Sequence, residues 1–138
     1  MIENRSGPTV EEVMTPGPVV VRADAPLATA ARMLEENEIS GMPVVDDEGQ
    51  LVGVISESDL VRARATEHLW SRWQGLSVRH LMHAPALTAD GDMSLEEAAT
   101  LMERAHVHRL VVVAADQQTP VGVISSSDIV RAMVGERE

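Results

Sequence analysis

Cysteine is absent from this chain, so neither a disulfide nor a thiolate nucleophile is available to it. Phenylalanine and tyrosine are absent as well, and Trp70 and Trp73 are its two aromatic residues. A core without phenyl rings has to be filled by Val, Leu, Ile, Met and Ala, with many small contacts in place of a few large anchors. Any flat ring that binds here meets aliphatic walls. Positive charge is scarce: 11 Lys and Arg stand against 22 Asp and Glu, a formal net charge of −11 at pH 7. Nucleic-acid affinity comes largely from cations that neutralise phosphates, so DNA and RNA are not expected partners, and neither is an anionic membrane surface. No apolar run approaches the roughly 20 residues of a membrane helix. The opening Met1 to Pro8 has no apolar signal region, which makes the cytoplasm the expected location.

Catalytic signatures are missing too. There is no Ser-His-Asp order, no P-loop glycine run and no dinucleotide glycine fingerprint. His68, His80, His83, His106 and His108 include His-x-x-His and His-x-His spacings, but no carboxylate is set among them in a ligand pattern. Neither an enzyme, a metal site nor a cofactor is expected.

What is present is one unit written twice. Gly53-Val54-Ile55-Ser56-Glu57-Ser58-Asp59-Leu60-Val61-Arg62-Ala63 returns as Gly122-Val123-Ile124-Ser125-Ser126-Ser127-Asp128-Ile129-Val130-Arg131-Ala132. Upstream, Met14 matches Met82, Leu27 matches Leu95, and Ala30-Ala31 matches Ala98-Ala99. One residue is gained between the polar turns at Asp46 to Gly49 and Asp116 to Thr119, where length changes are tolerated. Repeats of about 55 residues are marginal as independent cores, so the two are expected to share one. The expected division is a tail at 1–8, repeat 1 at 9–63, a linker at 64–76 and repeat 2 at 77–134.

Both repeats predict the same elements. Thr9 and Ser77 each cap a short starter helix, the first carrying Glu11 to Met14 and the second Val78 to Met82. Val19-Val20-Val21 reads as a strand. Pro26 then opens a helix whose Leu27, Ala30, Ala31 and Leu34 share one stripe, and Leu95, Ala98, Ala99 and Met102 repeat it. Met42 to Val45 and Leu51 to Ile55, parted by an acidic turn with Gly49, read as a hairpin, and a last helix follows Ser56.

A helix start leaves backbone N–H groups unpaired and carries partial positive charge, so a phosphate at Ser56 or Ser125 would meet ready donors and a hydroxyl. One turn on, Asp59 or Asp128 would accept from two neighbouring ribose hydroxyls. The competing reading is a capping box, in which Ser-x-x-Asp ties off the helix's own donors, although that box prefers Glu or Gln at its last position. His108 and Arg109 have no basic counterparts in repeat 1. The planar guanidinium of Arg109 suits a pair of phosphate oxygens, with His108 as a further donor. A solvated pair on a strand edge is the alternative.

The element order, the Val13-Met14-Thr15 opening, Gly41-Met42-Pro43-Val44-Val45 and both Gly-Val-Ile-Ser-x-x-Asp segments resemble the CBS domain, and a tandem pair of them resembles a Bateman module. The resemblance spans residues 9 to 63 and 77 to 134. It implies an α+β fold of two repeats, each a short helix followed by β-α-β-β-α, packed as a pseudo-two-fold pair. It also implies a stand-alone ligand-sensing module with an adenosine nucleotide of the AMP, ADP or ATP class held in clefts between the repeats. By the same resemblance Ser56, Asp59, Ser125, Asp128, His108 and Arg109 contact ribose and phosphate. Val20, Ile39, Met42, Pro43, Thr88 and Val107 flank the base. Which helix start receives Arg109 stays open.

The repeats depart from one another in ways that bear on binding. Thr88 has the hydroxyl common at that position in binding repeats whereas Val20 does not, and Glu57 adds a negative charge where Ser126 is neutral. The expectation is one strong site in repeat 2 and a weak or empty one in repeat 1. Trp70 and Trp73 share a face if the linker is helical, either packed beneath it or exposed to a partner. Homodimerisation and an unidentified effector protein are the expected associations. The alternative function is an interaction scaffold whose Ser and Asp residues only cap helices.

Overall fold

Residues 7–136 are described by a computed structural model, and their elements follow the predicted order twice. The first passage gives helix α1 (Val10–Val13), strand β1 (Thr15–Pro16), β2 (Val21–Arg22), α2 (Leu27–Glu36), β3 (Gly41–Val45), β4 (Leu51–Ser56) and α3 (Glu57–Ala65). The connecting α4 (Glu67–Ser71) and two 3₁₀ turns, Trp73–Gly75 and Val78–His80, come next. The second passage gives β5 (Thr88–Asp90), α5 (Leu95–Ala105), β6 (Arg109–Val113), β7 (Pro120–Ser125) and α6 (Ser126–Glu136).

The chain forms two compact units, and their limits are not those of the sequence repeats. One unit spans Val19 to Ala86, and the other joins the residues up to Pro18 to those from Leu87 on. In the first, β2 runs parallel to β3 and β3 antiparallel to β4. Leu27, Ala30 and Leu34 of α2 are buried against Met42, Val44 and Ile55 of this sheet. In the second, β5 is parallel to β6, β6 antiparallel to β7, and β1 joins the outer edge of β7 with Thr15 opposite Val123 and Pro16 opposite Gly122. Leu95, Ala98 and Met102 of α5 fill its core with Leu110, Val112 and Ile124.

Each repeat's opening segment therefore completes the unit built around the other repeat. Val10 is wholly buried in the second unit, with its N–H donating to the Met93 carbonyl at 2.8 Å and that of Glu11 to Gly91 at 2.8 Å. Its counterpart Val78 is wholly buried in the first unit, donating to Ala25 O at 2.9 Å. The starter at Ser77 is a 3₁₀ turn ending at His80 in place of the expected helix to Met82. Its end is pulled into a bridge in which Val54 and His83 exchange both backbone hydrogen bonds at 2.9 Å.

The expected strand Val19-Val20-Val21 is shorter, starting at Val21. The register that sets Val21 opposite Val44 would set Val20 beside Pro43, which has no N–H to give. At the matching place in the other unit Val111 donates to Leu87 O at 3.1 Å, and β5 accordingly starts one position earlier, at Thr88.

Candidate functional site

Each unit has a buried carboxylate one turn into the helix that follows its hairpin. Asp59 is 1% exposed and Asp128 7% exposed, the buried charged residues of the described chain. The environments of the two differ.

Around Asp128 the arrangement is a capping box made with Asp. The Ser125 N–H donates to Oδ2 at 2.9 Å, the Asp128 N–H donates to Ser125 Oγ at 3.2 Å, and Arg131 Nη1 donates to Oδ1 at 3.0 Å. Arg131 is 71% exposed, so its half of the pair is largely solvated. An ionised carboxylate offers about four lone-pair positions, and two are taken here. The rest of the site comes from β6 and the loop before it. Arg109 pairs with Ser125 in the β6–β7 register, and Ser126 N–H donates to the His108 carbonyl at 2.9 Å. Arg109 is half-buried, and the His108 residue is exposed. The backbone thus sets both beside the Ser125 helix start. Thr88 is half-buried opposite Val111.

Val107 and His108 also line a groove of about 470 Å³ with Met102, His106, Ser126, Ile129 and Val130. It opens where α5 ends at His106, whose φ of 57° is the left-handed turn that closes many helices. Glu38, with φ 54°, turns the chain in the same way after α2. Both turns let the next residue reach back, Val107 N–H to Met102 O and Ile39 N–H to Leu34 O, each at 3.1 Å. Ile39 and Val107 are consequently half-buried, while Met42 and Pro43 are packed inside.

Around Asp59 the same frame carries more donors. Ser56 gives Oδ2 its N–H at 2.8 Å and its hydroxyl at 3.1 Å, and Arg62 Nη2 donates to Oδ1 at 3.1 Å. His83 Nε2 then comes within 2.7 Å of Oδ1. Gly41 is the residue paired with Ser56, so no side chain stands where the other unit has Arg109. Val20 is half-buried and outside the sheet.

Sequence reasoning missed Arg62, Arg131 and His83. The two arginines were findable, because Asp-x-x-Arg stands at the same i,i+3 spacing in both repeats and three residues apart on a helix are neighbours. Nothing local pointed to His83, which reaches Asp59 through the exchanged opening segment. The linker question is answered within its unit: Trp73 is half-buried against the core, Trp70 is partly exposed, their rings lie 5.3 Å apart, and Arg64 sits 4.5 Å over Trp70. Among the described residues no group of three or more His, Cys, Asp or Glu is placed to hold a metal ion, and no helix is long and apolar enough to cross a membrane.

Known proteins share this fold. The crystal structure of CBSX2 in complex with AMP superposes with a TM-score of 0.82 at 32% identity, covering 96% of this chain and 100% of the other. A second structure describes CBSX2 as a CBS-pair protein from Arabidopsis thaliana. The CBS domain pair of protein MJ0100, in complex with 5′-methylthioadenosine and S-adenosyl-L-methionine, superposes with a TM-score of 0.83 at 25% identity over 96% of this chain and 100% of the other. Among curated sequences, 5′-AMP-activated protein kinase subunit gamma-3 of Homo sapiens is 36% identical over 83% of this chain, which spans 24% of that subunit. The family model of the CBS domain matches twice, at residues 10–66 and 78–135, and the chain belongs to the CBS domain family.

Proposed function

We propose that this CBS pair is a non-catalytic regulatory module that binds an adenosine nucleotide, with the Ser125–Asp128 helix start of the second repeat as its principal ribose and phosphate site. The carrying observation is the half-filled carboxylate of Asp128, buried and oriented by Ser125 and Arg131 with two lone-pair positions to spare. A ribose diol brings two donors to such a group. Arg109 and His108 stand on the adjoining strand and loop, a guanidinium and an imidazole suited to phosphate oxygens, and the first repeat has no such pair at the matching place. The AMP complex of CBSX2 and the adenosyl ligands of MJ0100 support an adenosine ligand.

Binding changes the behaviour of such a module only through a preference of the ligand for one conformation. We assign the output to a conformational shift read by an effector protein, and the working form to a cytoplasmic homodimer. Thermal melts with AMP, ADP, ATP and S-adenosylmethionine test the binding step. Ligand at 100 times its dissociation constant should add about 2.7 kcal/mol, and Asp128→Ala should abolish the shift. A response untouched by Asp128→Ala would overturn the placement of the site.

A second reading, a scaffold without nucleotide, is favoured by the capping bonds themselves. Ser125 and Asp128 already satisfy each other's backbone N–H groups. A protein whose melt moves with none of these ligands selects that reading.

A further inference from the structure

The two carboxylates are equivalent in sequence and unequal in surroundings: Asp59 has one more hydrogen bond and a histidine ring against it. Asp128 receives hydrogen bonds from Ser125 and Arg131. Asp59 receives three, two from Ser56 and one from Arg62, and the ring nitrogen of His83 closes on the same Oδ1 that Arg62 holds. Three of about four lone-pair positions on the Asp59 carboxylate are taken by hydrogen bonds, and the His83 ring, 2.7 Å from Oδ1, crowds the one that remains.

His83 is held there by its backbone, not by packing of the ring. Its N–H and C=O both bond to Val54 at 2.9 Å, whereas its side chain is 70% exposed. The approach is close because the bridge partner lies next to Gly53, where an added Cβ would stand 2.7 Å from the His83 carbonyl. The corresponding position in the other unit is Thr15, paired with Val123 as His83 is with Val54. Thr15 gives no hydrogen bond to Asp128, whose donors are Ser125 and Arg131.

The geometry points to His83 as a lock on the first-repeat helix start: its ring stands against the Asp59 oxygen that a ribose hydroxyl would approach, and so restricts the chain to one nucleotide. This rests on the adenosine-site reading above and adds to it the residue that decides how many sites work. Replacing His83 with threonine, the residue of the matching position, frees Oδ1 of one partner and should open a second site. His83→Gln keeps a side-chain nitrogen donor near Asp59 and should keep it closed.

Isothermal titration with AMP tests this, each variant being checked for an unchanged melting profile in the absence of ligand. The expected result is one AMP per chain for the native protein and for His83→Gln, and two for His83→Thr. In the His83→Thr/Asp128→Ala double variant one site should remain, and adding Asp59→Ala should remove it. Two sites in the native protein, or no site gained in His83→Thr, overturns the lock. If the native chain binds one AMP and His83→Thr gains none, only the lock fails. If Asp128→Ala leaves native binding intact, the placement of the nucleotide site fails on its own.

Discussion

At the scale of the residue, Gly53 and Gly122 are set by what lies against them. A Cβ on Gly53 would stand 2.7 Å from the His83 carbonyl and 2.8 Å from Met82 Sδ. On Gly122 it would meet the sulfur of Met14 and stand 3.0 Å from the Thr15 carbonyl. These are the same partners one repeat apart, so each glycine admits the exchanged opening segment against its hairpin. Since backbone carbonyls cannot swing aside as a side-chain tip can, Gly53→Ala and Gly122→Ala are each expected to cost about 1–3 kcal/mol of stability. Gly75 supplies the control, with nothing within 4 Å of its added Cβ. Gly75→Ala is expected to be neutral or to stabilise by up to about 1 kcal/mol through the unfolded chain. Urea unfolding of the three variants checks this, and equal losses at all three would contradict it.

At the scale of the element, the opening segments are where sequence and structure part. Helix stripes and hairpins were legible because each is fixed by its own period: Leu27, Ala30, Ala31 and Leu34 predict a buried face, and all but the half-buried Ala31 are buried. The Ser-x-x-Asp helix starts were legible for a similar reason, since their bonds run over three residues. The exchange was not, because Val10 and Val78 carry the same local pattern whichever sheet they join. The missing first residue of β2 was legible in retrospect, from Pro43 alone. The exchange yields a crossed prediction. Val10→Ala removes a wholly buried side chain from the unit containing β6 and β7, and Val78→Ala removes one from the unit containing β3 and β4. Burying such a side chain is worth about 1.5–3 kcal/mol, most of which is lost on truncation. Hydrogen exchange should show Val10→Ala loosening the amides of β6 and β7, though Val10 opens the first repeat. Val78→Ala should loosen β3 and β4. Each variant loosening the repeat it adjoins in sequence would refute the exchange.

At the scale of the whole molecule, the final helix of each repeat carries more apolar surface than its own unit uses. On α6, Ile129 and Ala132 pack against the core, while Val130, Met133 and Val134 are 55–59% exposed. Those three stand at i, i+3 and i+4, a single stripe turned away from the packed face. Val61, the match of Val130 in the first repeat, is 66% exposed on α3. Solvent-facing stripes of this kind mark association surfaces, and a second copy of the chain is the proposed occupant because the matched position Val61 is exposed in the first repeat as well. A chain with net charge −11 repels its own copy, and the repulsion is screened as salt rises. Sedimentation equilibrium should therefore find a dimer that tightens from low to physiological ionic strength, since apolar contact holds it and charge opposes it. Val61→Glu with Val130→Glu should yield a monomer with unchanged melting behaviour, because neither side chain belongs to a core. A native chain that sediments as a monomer at every salt concentration would remove the dimer and leave the stripe of α6 for an effector protein to cover.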